Sequence, residues 1–325
     1  MAEQVVEMIF PLITILCVAL NATSLVILCR TINLKKVRFH CLVLYLSISD
    51  TLIGLYILII IINYRFVATN DRTSTYICTF FGSLTRATSI FSMYQVLLIC
   101  LERLNATFNT TNSCLKKMTS DLAVAVGFVV LHAYPLVFWI YESQMTEPTC
   151  AIMPTTVQLI SLDIPAILLT SATVVLYCLI IRRIISRHKK IQSTTQQGQQ
   201  YSISTSNRVI NMRRNVMTLG IIVVCSALIV SPRSIASVTS LIMGRQFALV
   251  LSVSTYMMIL NPVIDPIIYV LRIKRFRKRL RCYCCVASTN IELDSTIPTA
   301  STATSRHVRV HTMCLTNESR SKMEP

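Results

Sequence analysis

Seven apolar windows divide the chain, each bounded by polar or charged residues. Windows of about 20 residues match the hydrocarbon core of a bilayer, so each predicts a spanning helix. They run over about Val6–Cys29, Cys41–Asn63, Cys78–Leu101, Leu122–Tyr141, Thr156–Ile181, Val216–Met243 and Phe247–Leu271. After the seventh the pattern changes. Ile273, Phe276 and Leu280 recur at helical spacing among Arg272, Lys274, Arg275, Arg277, Lys278 and Arg279. That is the pattern of a short amphipathic helix lying on a membrane surface. Gln192–Asn207 is rich in Gln, Ser and Thr and reads as a disordered loop. From Ala287 the chain is a polar tail carrying Thr299, Ser301, Thr302, Thr304 and Ser305. The expected organisation is a helical domain over 1–285 and a disordered tail over 286–325. No internal repeat is visible, which counts against an inverted-repeat transporter.

Composition agrees with the pattern. Of 325 residues 53% are hydrophobic and 14% charged, where a soluble domain carries about a quarter charged. The expected fold is an all-α membrane protein, a seven-helix bundle with a short eighth helix. The net charge of +17 raises the question of nucleic acid, but its distribution answers it. Lys and Arg collect after the first, third, fifth and seventh windows. The opposite loops hold only Arg65, Arg72 and Arg245. By the positive-inside rule the N-terminus is extracellular and the C-terminus cytoplasmic. The basic charge then serves anionic membrane lipids and a cytosolic partner, not nucleic acid. Met1–Glu7 lacks the basic start of a cleaved signal peptide, so the first window is expected to be retained.

Polar groups interrupt the windows. Asp265 lies between Pro262 and Pro266, Asp50 follows Leu46-Ser47-Ile48-Ser49, and Asn21 and Asn261 sit inside the first and seventh windows. An ionisable side chain in a span is costly and marks a functional site. Proline there removes a backbone hydrogen bond and bends the helix. Two interior acids cannot both be anionic and unpaired. A hard cation such as sodium, held by oxygen ligands, satisfies them; so does a neutral, water-filled network with one acid protonated.

The order Asn21, Asp50, Cys78, Glu102-Arg103, Cys150, Pro165, Pro232 and Asp265-Pro266-Ile267-Ile268-Tyr269 resembles the rhodopsin-like (class A) G-protein-coupled receptors. The resemblance covers roughly residues 10–285 in topology and motif spacing. It implies that Arg103, 25 residues after Cys78, is the arginine that reaches a heterotrimeric G protein, with Glu102 holding it at rest. It implies that Asp265, Pro266 and Tyr269 form the seventh-helix activation motif. Asn21, Asp50, Ser92, Asn261 and Asp265 would be the interior polar site, Ser92 lying level with Asp50. A Cys78–Cys150 disulfide is implied at the oxidising face; two free thiols are the alternative. Cys282, Cys284 and Cys285 are palmitoylation candidates beside a basic helix, against a reduced, unmodified cluster. Phosphorylation of the tail would add negative charge for a partner, and receptor kinase and arrestin are the partners the resemblance implies. The place would be the plasma membrane.

This sequence departs from the family pattern in several places. Helix six reads Ile229-Val230-Ser231-Pro232, without the usual tryptophan, and Ser226 stands where a phenylalanine is expected. Leu104 replaces the usual tyrosine, and Thr173 stands where helix five usually has one. The resemblance is thus to a divergent member, one altered in its activation relay. The aspartate of amine receptors is Thr85 here, and the opsin Schiff-base lysine is absent from Phe247–Leu271.

In the family the outer half of the bundle lines the ligand pocket. Here it would contain Thr85, Arg86, Asp163 and Arg233. An Asp163–Arg233 ion pair is one reading of these charges. Arg86 adds a second guanidinium, which favours a small extracellular ligand with an anionic group or reaches outward to headgroups. A transporter or channel would also explain intramembrane acids, but not Glu102-Arg103 or the basic surface helix. The spans hold no nucleophile–base pairing or metal motif, so no enzyme is expected.

Overall fold

The computed structural model describes residues 2–31, 38–66, 72–108, 112–145, 159–196, 203–243 and 248–272. Among them the regular structure is entirely helical. The elements are α1 (Ala2–Thr31), α2 (Arg38–Phe66), α3 (Arg72–Ala106), α4 (Ser113–Met118), α5 (Asp121–Met145), a π-helical turn (Leu159–Asp163), α6 (Ile164–Gln196), α7 (Ile203–Met243), α8 (Ala248–Met258) and α9 (Leu260–Arg272). Among the described residues six helices are long and apolar enough to cross a membrane, and a further apolar stretch, Val253–Ile268, spans α8 and α9. Met1–Ile268 form one compact unit, and the contacts below lie within it.

α3 is the central helix. It packs against α2, α5 and α6, and 67% of its apolar window is buried, against 11% for α5. Polar side chains on α3 therefore meet other helices, while the apolar face of α5 is left for lipid. Met93, Ala166 and Val230 join α3, α6 and α7 in a core cluster with Leu169 and Met258. Gly220 lets α6 approach α7 closely: a Cβ there would lie 2.0 Å from Tyr177 Oη.

Prolines account for the irregular backbone. Pro262 has no N–H to bond Met258 O, and α8 ends at Met258. The seventh window is therefore two helical pieces rather than one. Pro165 cannot donate to Ser161 O, and the turn before it widens into the π form. Helix also extends into the stretch read as a disordered loop, since α6 runs to Gln196 and α7 begins at Ile203. Gln is a good helix former, and these segments contain no proline. The eighth helix, Cys150, Cys282, Cys284 and Cys285 lie outside the described residues.

Candidate functional site

The interior polar group is built around α2 and α9. Asp50 and Asp265 are both buried, at 0% and 1% exposure. Their carboxyls face each other closely enough to act on one another, and no Lys or Arg among the described residues acts on either. Ser92 Oγ donates to Asp50 Oδ1 at 3.0 Å, so α3 supplies the hydroxyl at the level expected.

Asn21 has a backbone task. Pro266 lacks the N–H that would bond Pro262 O within α9, and Asn21 Nδ2 donates to that oxygen at 2.7 Å. It also donates to Cys17 O at 3.0 Å. Asn261 accepts from Ser226 Oγ at 3.0 Å. A hydrogen bond thus joins α7 to α9 where the family pattern expects an aromatic ring.

Apart from the contact of the two carboxyls with each other, four buried oxygens of this region have no hydrogen-bond partner: Asn21 Oδ1, Ser47 Oγ, Asp50 Oδ2 and Asp265 Oδ2. Oxygen-only donors with two carboxyls fit a hard monovalent cation and do not fit zinc or copper. Among the described residues no three His, Cys, Asp or Glu side chains cluster as a metal site.

A second charged group lies toward the Cys78 end. Asp163 Oδ1 is 3.7 Å from Arg233 Nε, with the side chains 1% and 7% exposed. Arg233 Nη1 also donates to Thr255 Oγ1. Arg233 thereby connects α7 to α8 and to the π turn. Arg86 does not stand apart from this pair, because its guanidinium acts on the Asp163 carboxylate as well. The Thr85 hydroxyl bonds back to Phe81 O at 2.8 Å, within its own helix. Cys78 is disulfide-bonded. Near it Trp139 Nε1 donates to Thr79 Oγ1 at 3.2 Å, tying α5 to α3.

At the opposite end of α3, Arg103 Nε lies 3.3 Å from Glu102 Oε2. The guanidinium also stacks on Phe39, with Cζ 3.8 Å from the ring centroid. Beside Phe39, Arg38 pairs with Asp121 and donates from Nε to Thr119 O at 2.5 Å. Arg183 covers the Phe108 ring at 3.6 Å. Sequence reasoning missed Phe39, Thr255 and the Arg38–Asp121 pair. Nothing in their local pattern sets them apart, because each acts only through a partner far along the chain. Pro266 and Tyr269 both fall in α9.

Buried acids at mid-bundle, a disulfide at one end of α3 and an acid–arginine pair at the other define a seven-helix receptor arrangement. The chain matches the sequence model of the 7 transmembrane receptor (rhodopsin family) over residues 20–269, and it belongs to that family. No curated protein matches it.

Proposed function

We propose that this receptor transmits the binding of a small extracellular ligand to a heterotrimeric G protein at the plasma membrane. The observation that carries the reading is the Glu102–Arg103 pair, 3.3 Å apart at the end of α3 remote from Cys78. The distribution of Lys and Arg supports an extracellular N-terminus and a cytoplasmic C-terminus. With that orientation Arg103 lies at the cytosolic end of α3, and the buried Asp163–Arg233–Arg86 group lies in the half of the bundle nearer the ligand side. Arg233 and Arg86 both act on Asp163, and guanidiniums at this depth suit a ligand with a carboxylate, sulfate or phosphate group. Cys150 is the proposed partner of Cys78. Sodium is the cation that Asp50, Asp265 and Ser92 would hold, and its role is charge balance between the two carboxyls. The tail over 286–325 is the region for receptor kinase and arrestin, and Cys282, Cys284 and Cys285 are the sites for palmitate. The protein acts as a receptor rather than as an enzyme.

The test is nucleotide exchange by purified G proteins on membranes from cells expressing the receptor, run beside an ion-flux assay on the same cells. Exchange lost in Arg103→Ala at normal surface expression supports the reading. Ion flux without exchange would favour a transporter or channel. The ligand class is tested by screening anionic compounds against their neutral amides and esters on wild type and Arg86→Gln. Equal responses to both sets, or an unchanged Arg86→Gln, would overturn the anionic ligand.

A further inference from the structure

We propose that Phe39 is the positioning residue that keeps Arg103 turned toward α2 in the resting receptor. The proposal rests on the reading of Arg103 as the G-protein contact. Its motive is the stacking of the Arg103 guanidinium on the Phe39 ring, 3.8 Å from Cζ to centroid. A guanidinium over an aromatic face is attracted by the ring quadrupole, more strongly as water is removed. The Arg103 side chain is only 17% exposed.

Glu102 holds Arg103 within α3 alone. It is the neighbour of Arg103 on the same helix, so their ion pair moves with α3 and survives any shift of α3 against α2. Phe39 belongs to α2. Among the described residues it is the aromatic partner that ties the Arg103 guanidinium to another helix. A contact between helices can be broken by their relative movement; one within a helix cannot.

The ring is itself held in place. Arg38, one residue earlier, donates to Thr119 O at 2.5 Å and pairs with Asp121. Tyr45 Oη, further along α2, donates to the same Asp121 carboxylate at 3.2 Å. Thr119 is buried at 3% exposure. The start of α2 is thereby fixed to the segment between α3 and α5, and Phe39 presents its face from a fixed base. Releasing Arg103 requires the guanidinium to leave the ring.

The experiment uses the full-length receptor with no ligand added and reads two signals. The first is basal GTPγS binding by a panel of purified heterotrimeric G proteins. The second is the ring-current shift of the Arg103 side-chain NMR resonances, assigned with Arg103→Lys. Phe39→Leu keeps apolar bulk and removes the quadrupole. It is expected to abolish the ring-current shift and raise basal exchange about three- to tenfold. Phe39→Trp presents a stronger aromatic face and should return exchange to the wild-type level or below. A purely structural role would not distinguish Trp from Leu in this way. If the shift is present in wild type but Phe39→Leu leaves basal exchange unchanged, while Arg103→Ala abolishes it, Phe39 does not restrain Arg103. No shift in wild type overturns the stacking directly. A shift present in wild type, with no exchange by any variant, upholds the stacking and sinks the G-protein reading instead.

Discussion

The two buried groups of ionisable side chains have opposite needs. Asp163 and Arg233 carry opposite charges, 3.7 Å apart, and the pair is neutral on its own. Asp50 and Asp265 are both acids, face each other and receive no guanidinium among the described residues. Both groups lose their hydration on burial. The first recovers part of that loss from its partner, whereas the second needs a proton or a cation from outside. One group reads as a strut between helices, and the other as a site whose state depends on solution conditions. Arg233 is further anchored on Thr255, while Asp50 accepts from the Ser92 hydroxyl.

The largest predicted effect tests the strut. Arg233→Met leaves Asp163 buried without its main counter-charge and should lower stability by about 3–5 kcal/mol. Thermal unfolding of the detergent-solubilised receptor measures it. The double variant Asp163→Leu/Arg233→Met removes both members of the pair and should recover part of the loss, because their desolvation cost vanishes while Arg86 loses the Asp163 carboxylate. A double variant as unstable as the single would mean that packing or Thr255, not charge, holds this region.

The acid pair predicts a different response. Wild-type stability should rise when sodium replaces choline at constant ionic strength, by about 2.7 kcal/mol at a hundredfold excess over the dissociation constant, read as a higher melting temperature. Asp50→Asn should melt at the same temperature in both salts. A wild type indifferent to sodium would favour the neutral network with a shared proton.

Asn21 belongs to the same interior but not to the charge problem. Its amide caps the carbonyl that Pro266 leaves without a donor. Asn21→Leu should cost about 1–3 kcal/mol, the penalty of a buried unsatisfied carbonyl, without changing the sodium response. Loss of the sodium response in this variant would instead make Asn21 Oδ1 a ligand, merging the two roles.

The legible parts of this arrangement were those written within one helix. Asp50, Asp265 and Asn21 stand out because polar groups in apolar windows are rare, and Pro262 and Pro266 mark an interrupted seventh span by their missing donors. Ser92 was found by counting along α3 to the level of Asp50. The Asp163–Arg233 pair was legible as an alternative because no other acid lies near that depth. Phe39 under Arg103 was not, nor was Ser226 bonded to Asn261. Those contacts depend on how each helix is rotated about its axis, and an apolar helix surrounded by lipid carries little periodicity to report that rotation. The helical ends of the loop between α6 and α7 were missed for a different reason. A polar stretch without proline is compatible with helix as well as with coil, and composition alone does not separate them.

The smallest effect concerns a third charge pair, which separates sign from burial. Arg38 and Asp121 are opposite in charge like Asp163 and Arg233, but the Asp121 side chain is 72% exposed. Water screens the attraction, and an exposed ion pair contributes between about 0 and 1 kcal/mol. Asp121→Asn should therefore cost less than about 1 kcal/mol, and the difference from wild type should shrink toward zero near 1 M salt, where the Debye length is about 3 Å. The Arg38 bond to Thr119 O survives the substitution, so the start of α2 stays anchored and Phe39 keeps its place. Basal nucleotide exchange should then remain near wild type, in contrast to Phe39→Leu. A loss of several kcal/mol that persists at high salt would mean that Asp121 is held in a less hydrated setting than its exposure implies. The contrast between buried and exposed pairs would then fail.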